Sequence, residues 1–200
     1  MALARNTAAA TGSRKKTFDV SSLLSAGVVA GLGVGVFFIL ANMVYATSKP
    51  AILNVPDGPK LPASAPFLDI GTIFYFDDKP QMTPEYPFAG LITHFSLSIL
   101  FALVFALVLV PLLRKVPLLL LGGIVYGLLL YILNYQILGR VLFEWFDPST
   151  AEGPNPWFGL LTHLGFGLLL VPFFLTVASR AGQAQAQAQA PPPQVAMPGR

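Results

Sequence analysis

The sequence predicts an all-α integral membrane protein: an up-down-up-down bundle of four transmembrane helices under an outer loop that caps them. Three observations carry this prediction. Of 200 residues, 54% are hydrophobic and only 10% charged, with a mean hydropathy of +0.68, whereas roughly 25% of a soluble domain is charged. Four apolar stretches, 23–46, 88–113, 117–138 and 157–178, are long enough to cross a bilayer, since about 30 Å of hydrocarbon at 1.5 Å per residue needs about 20 residues. These runs of Leu, Val and Phe lack period-2 alternation and so read as helices, which satisfy their own backbone in lipid, not as barrel strands.

Residues 1–19 are rich in Ala, Thr, Ser and basic side chains and read as a disordered cytoplasmic N-terminus, with Asp19 or Ser21 capping the first helix. The basic Arg14-Lys15-Lys16 ahead of an apolar run resembles a signal peptide. An h-region spans only about 7–15 residues, however, so the longer run here reads as an uncleaved first span. The four-helix domain covers 20–179. Its outer loop, 47–87, holds eight prolines (Pro50, Pro56, Pro59, Pro62, Pro66, Pro80, Pro84, Pro87), which argue against long helices, and Ile70 to Phe76 reads as a short strand or an interfacial segment. Residues 180–200, alternating Gln and Ala before Pro191-Pro192-Pro193, read as a disordered cytoplasmic tail.

Charge sets orientation. Arg5, Arg14, Lys15, Lys16, Arg114, Lys115, Arg180 and Arg200 fall on one side of the four spans, and the short Arg114-Lys115 turn is the strongest marker of a cytoplasmic face. Both termini are then cytoplasmic, in a bacterial inner membrane. Of the acidic residues only Asp19 falls on that side. The net charge of +3 is therefore a topology signal and not one for nucleic acid. The chain has no cysteine, so disulfides and thiolate metal sites are excluded.

The two histidines sit in similar segments, Phe88-Ala89-Gly90-Leu91-Ile92-Thr93-His94 and Trp157-Phe158-Gly159-Leu160-Leu161-Thr162-His163, which suggests a tandem repeat of two helical hairpins. Ionisable groups inside spans are costly and therefore functional candidates. The second and fourth spans enter from outside, placing His94 and His163 about six residues, or roughly 9 Å, below the outer boundary. Asn42 and Asn134 lie at a similar depth where the first and third spans leave. The four residues form one polar layer, with Thr93, Ser98, Tyr131, Tyr135, Gln136 and Thr162 near enough to join it. Glycines at four-residue spacing, Gly27, Gly31 and Gly35, then Gly123 and Gly127, then Gly159 and Gly167 flanking His163, form smooth ridges for close helix packing. Pro111 and Pro172, near the inner helix ends, read as kinks or terminators.

Three readings of the layer stay open. It is a hydrogen-bonded ring that fixes helix register, at about 0.6 kcal/mol per interhelical bond; or His94 and His163 are the axial ligands of a haem b in an electron-transfer subunit; or the layer is the site of a small transporter or proton relay. No acidic residue lies within the four spans, and no third side chain completes a metal site. No catalytic residue and no metal ligand is assigned.

Thr93-His94-Phe95 opening the second span, Gly139 and Phe143 closing the third, and His163-Leu164-Gly165-Phe166-Gly167 opening the fourth resemble the YagU-like family of small four-helix bacterial inner-membrane proteins, and related short proteins labelled sodium:proline symporter-like. The resemblance covers about 88–178 and departs at Gln136-Ile137-Leu138-Gly139, where that pattern has a proline-containing helix end. It implies a membrane protein with no established mechanism. The function expected is that of a non-enzymatic accessory or structural subunit of a membrane complex. It needs no cofactor, and its partners are the lipid bilayer and either other membrane proteins or a second copy of itself.

Overall fold

The computed structural model describes residues 19–48, 62–76, 81–113, 115–143, 147 and 155–189, the last fourteen of these as backbone only. Every element among them is helical. They are α1 (Val20–Thr47), α2 (Ala65–Tyr75), α3 (Glu85–Leu112), α4 (Val116–Val141) and α5 (Pro156–Gln189). Four of them, α1, α3, α4 and α5 over Pro156–Leu175, are long and apolar enough to cross a membrane. Their outward faces are as apolar as their inward ones: Val29, Phe37 and Leu40 on α1 and Leu121 and Leu129 on α4 are all exposed. A helix that is hydrophobic all round is solvated by lipid or buried in a large core, and among the described residues no such core surrounds these faces.

The ends follow local chemistry. Asp19 caps α1, accepting from the backbone N–H groups of Ser21 and Ser22 at 3.2 and 3.3 Å. Asn155 caps α5, accepting from Phe158 N–H at 2.9 Å. Prolines stand in the first turns of α2 and α4, where a missing N–H costs nothing. In α3 a π-helical stretch, Phe105–Leu109, ends two residues before Pro111, and the helix ends at Leu112. Pro111 thus behaves as a terminator, with the wide turn absorbing its ring. Pro172 does not: α5 runs through it and on to Gln189, into the stretch read as a disordered tail from 180. Gln and Ala are good helix formers, and nothing in the alternation breaks the helix before Pro191. The expected disordered segments at 1–18 and 190–200 lie outside the described residues, as do Arg14, Lys15, Lys16 and Arg114.

The outer loop also differs from expectation. Ile70 to Tyr75, read as a strand or interfacial segment, belong to α2, which packs along the first turns of α3. A β-carbon on Gly71 would stand 2.5 Å from the Tyr86 carbonyl oxygen, and one on Gly90 would run into the Phe67 carbonyl. This backbone-to-backbone contact, with Leu68 and Thr72 buried beneath it, outweighs the strand preference of Ile, Thr and Phe. Phe76 ends α2 in the left-handed region at φ 56°, its N–H bonded to the Thr72 carbonyl.

The spanning helices associate through glycine. On α1, a β-carbon at Gly31 would stand 2.5 Å from Ile99 Cα of α3, and one at Gly35 3.0 Å from the Ser98 side chain. On α4, a β-carbon at Gly123 would meet the Gly167 carbonyl of α5 at 2.7 Å, and one at Gly127 would run into the His163 carbonyl. In each pair the contacts move down one helix as they move up the other. A third seam joins α1 to α5, with Phe173 over Gly33 and Phe38 edge-on to Phe166 at 6.0 Å. Below the histidines these helices enclose a core of Val34, Ala102, Phe105, Leu130, Leu170 and Phe174.

Candidate functional site

Both imidazoles are buried, each at 5% exposure, and each is bonded differently. His94, on α3, lies with Nε2 2.8 Å from the Gly35 carbonyl of α1. A carbonyl only accepts, so His94 carries its proton on Nε2 and donates across the helix pair. His163, on α5, has Nδ1 2.7 Å from the Gly159 carbonyl one turn back, and Nε2 3.1 Å from the Asn134 side-chain nitrogen of α4. Nδ1 must therefore donate, and Nε2 must accept from the Asn134 amide. The two rings hold opposite tautomers, each assigned by its partners.

Phe38 of α1 stands between them. Its ring is stacked on His94 at 5.9 Å and 27°, and edge-on to His163 at 5.3 Å and 89°. Tyr131 and Tyr135 present their edges to His163 at 6.0 and 5.3 Å, and the Gln136 amide donates to the Tyr131 hydroxyl at 3.0 Å. Asn134, Tyr135 and Gln136 share a π-helical stretch, Ile132–Leu138. Such wide turns often mark functional positions. Here the turn lets Asn134 and Tyr135, neighbours in sequence, both meet the His163 ring.

Not every member of the expected layer joins. Asn42 donates to the Phe38 carbonyl of its own helix at 2.8 Å and is bonded to neither imidazole. Thr162 likewise bonds its own backbone, at Phe158 and Gly159. Ser98 is buried against Gly35. The expected ring is thus two separate pairings, His94 with Gly35 and His163 with Asn134, joined by Phe38. Gly159 lies under the Tyr135 ring and Gly167 against Gly123, so α5 presents one small-residue face to α4.

An acidic group that the sequence reading left out stands beside this cluster. α2 brings Asp69 to the end of the bundle where α3 begins, half-buried and within electrostatic reach of Tyr135. Burial pushes its carboxyl up to about 7. The spacing Ala65, Leu68, Thr72 was the available signal for a packed helix, and hence for a charge carried inward beside it.

As an axial pair for haem, both imidazoles would have to aim a nitrogen at one iron. Here Nε2 of His94 faces Gly35, both nitrogens of His163 are engaged, and Phe38 fills the space between the rings. A porphyrin ligated through both Nε2 atoms would have to displace that ring and break the bonds to Gly35 and Asn134, while the His163 Nδ1 bond to Gly159 could stay. Among the described residues no group of three or more His, Asp or Glu is placed to hold a metal.

α1 and α4 share a spacing of small and polar residues. Gly31, Gly35 and Asn42 have the spacing of Gly123, Gly127 and Asn134. The close approaches correspond as well. A β-carbon on Gly31 would stand 2.9 Å from the Ser98 carbonyl, and one on Gly123 2.7 Å from that of Gly167; Ser98 and Gly167 each lie one turn after their histidine. Comparison with protein families, with curated proteins and with solved structures gives no match.

Proposed function

We propose that this chain is a non-enzymatic multi-pass protein of the bacterial inner membrane, an accessory or structural subunit of a larger membrane complex, with both termini cytoplasmic. It is an up-down-up-down bundle of two related hairpins, α1 with α3 and α4 with α5. His94 and His163 serve as interhelical fasteners in its outer leaflet. The observation that carries this reading is the use of the ring nitrogens: His94 donates to α1, and His163 is matched on both sides. A site for chemistry keeps a nitrogen free for a ligand or a proton, which His163 does not, and His94 spends its one N–H on α1. Fasteners use theirs on neighbouring helices, which is what polar groups in lipid commonly do.

Apolar faces on every spanning helix leave room for membrane partners. Native electrophoresis of membranes solubilised in mild detergent tests the assignment. The 21.4 kDa chain is expected to migrate in a defined, larger assembly without a Soret band. An isolated chain that carries haem after haem-supplemented expression, or that conducts protons or a solute in vesicles, would overturn it.

A further inference from the structure

The seam between α1 and α5 is closed by aromatic packing, but between α3 and α4 the packing leaves an opening. The opening is an apolar groove of about 450 Å³, walled by Val104 and Val108 of α3, by Leu113 just after it, and by Leu118, Leu121 and Gly122 of α4. At its deep end the groove is roofed by Tyr126, whose hydroxyl donates to the Phe101 carbonyl of α3 at 2.8 Å and whose ring lies 5.4 Å from that of Phe105. At its other end stands Lys115, exposed, just ahead of the first turn of α4.

Dimensions and charge both select an occupant. From Lys115 to Tyr126 the helix rises about 16 Å, about half of a 30 Å hydrocarbon core, which is the depth of one leaflet. The mouth is cationic, with the positive end of the α4 dipole beside Lys115, and no Asp or Glu occurs from Tyr86 to Phe143. The walls are apolar along their length and open sideways toward lipid: Val108 is 50% exposed and Leu121 56%. We infer that this groove binds one anionic phospholipid, an acyl chain lying between α3 and α4 up to Tyr126 and the phosphate at Lys115. Gly122 leaves that stretch of the α4 wall without a side chain, and the tip of Leu113 rests over it.

The test uses the full chain in mixed vesicles, with Trp145→Phe and Trp157→Phe and a reporter, Leu121→Trp, on the groove wall. Brominated phosphatidylglycerol, as a minor component, is expected to quench the reporter about fivefold more effectively than brominated phosphatidylcholine at equal mole fraction, the preference one basic residue confers at a membrane surface. Lys115→Glu is expected to abolish that preference. Gly122→Leu, in a chain that keeps its melting temperature, is expected to weaken quenching by both lipids. Equal quenching by the two headgroups, or a preference that survives Lys115→Glu, would overturn the inference. So would a reporter shielded from both lipids in a chain that crosslinks as a dimer through α3 and α4, because a second copy would then fill the groove.

Discussion

Asn134 donates its side-chain amide to Nε2 of His163 at 3.1 Å, while the same ring gives its Nδ1 proton to the Gly159 carbonyl at 2.7 Å. The first bond ties α4 to α5; the second holds the imidazole at the angle that makes the first possible. The contact therefore needs both a neutral ring and one particular tautomer.

A double-mutant cycle measures this pair. His163→Phe and Asn134→Leu should each destabilise the bundle, with a coupling energy of about 0.6 kcal/mol and no more than about 1.7 kcal/mol, the range for interhelical hydrogen bonds in membrane proteins. Reversible unfolding in mixed micelles reads it out. Strictly additive losses would remove Asn134 as the partner.

His94 has a simpler task, since it only donates. Glutamine keeps an N–H donor on a flexible stem, so His94→Gln should cost less than about 1 kcal/mol. His94→Ala loses both the bond and the stack on Phe38 and should cost about 2–4 kcal/mol. Thermal unfolding of the two variants side by side checks the order.

Glycine packing supplies a sharper contrast, because neighbours differ within one helix. Gly167→Leu would drive a side chain into the Gly123 backbone, which cannot yield, and should separate α4 from α5. Gly165 has nothing within 4 Å of a built β-carbon, so Gly165→Ala should be neutral or gain up to about 1 kcal/mol from helix propensity. Expression level and melting temperature distinguish them.

The cap should respond to pH through Asp69. Its carboxyl is raised by burial to about 7 in the folded chain, from 3.8, so between those values the folded state holds the proton more tightly than the unfolded one. Stability of the docked α2 is then greatest below about pH 4 and falls as pH rises towards 7, flattening above. Asp19 shifts the opposite way, lowered first by the Ser22 hydroxyl bond, and acts below pH 4, outside that window. Asp69→Asn should abolish the loss and slow amide exchange in α2 at pH 8. Unchanged protection factors, corrected for the intrinsic rate, between pH 5 and pH 8 in the parent chain would contradict this.

Much of the architecture was legible in the sequence for a plain reason: lipid demands long, uninterrupted apolar helices, and Leu, Val and Phe runs of that length have no other use. The position of His94 and His163 along their helices followed from where those runs begin. Depth does not give azimuth, however. Asn42 sits at the depth of Asn134 yet turns to its own backbone, and the π-helical stretch that aims Asn134 and Tyr135 at one ring has no signature at a period of 3.6. α2 was obscured by its prolines and its β-branched residues, although Pro66 suits a first turn and Gly71 a close contact. Asp69 was missed with it.

The central claim is that both imidazoles are neutral fasteners locked in opposite tautomers, and ¹⁵N NMR of ring-labelled histidine in lipid bilayers reads that directly. The account predicts two resonance sets, His94 protonated at Nε2 and His163 protonated at Nδ1, with a through-space contact from the His163 Nε2 to the Asn134 amide. Two rings in the same tautomer, or a nitrogen shifted by coordination to a metal, would contradict it.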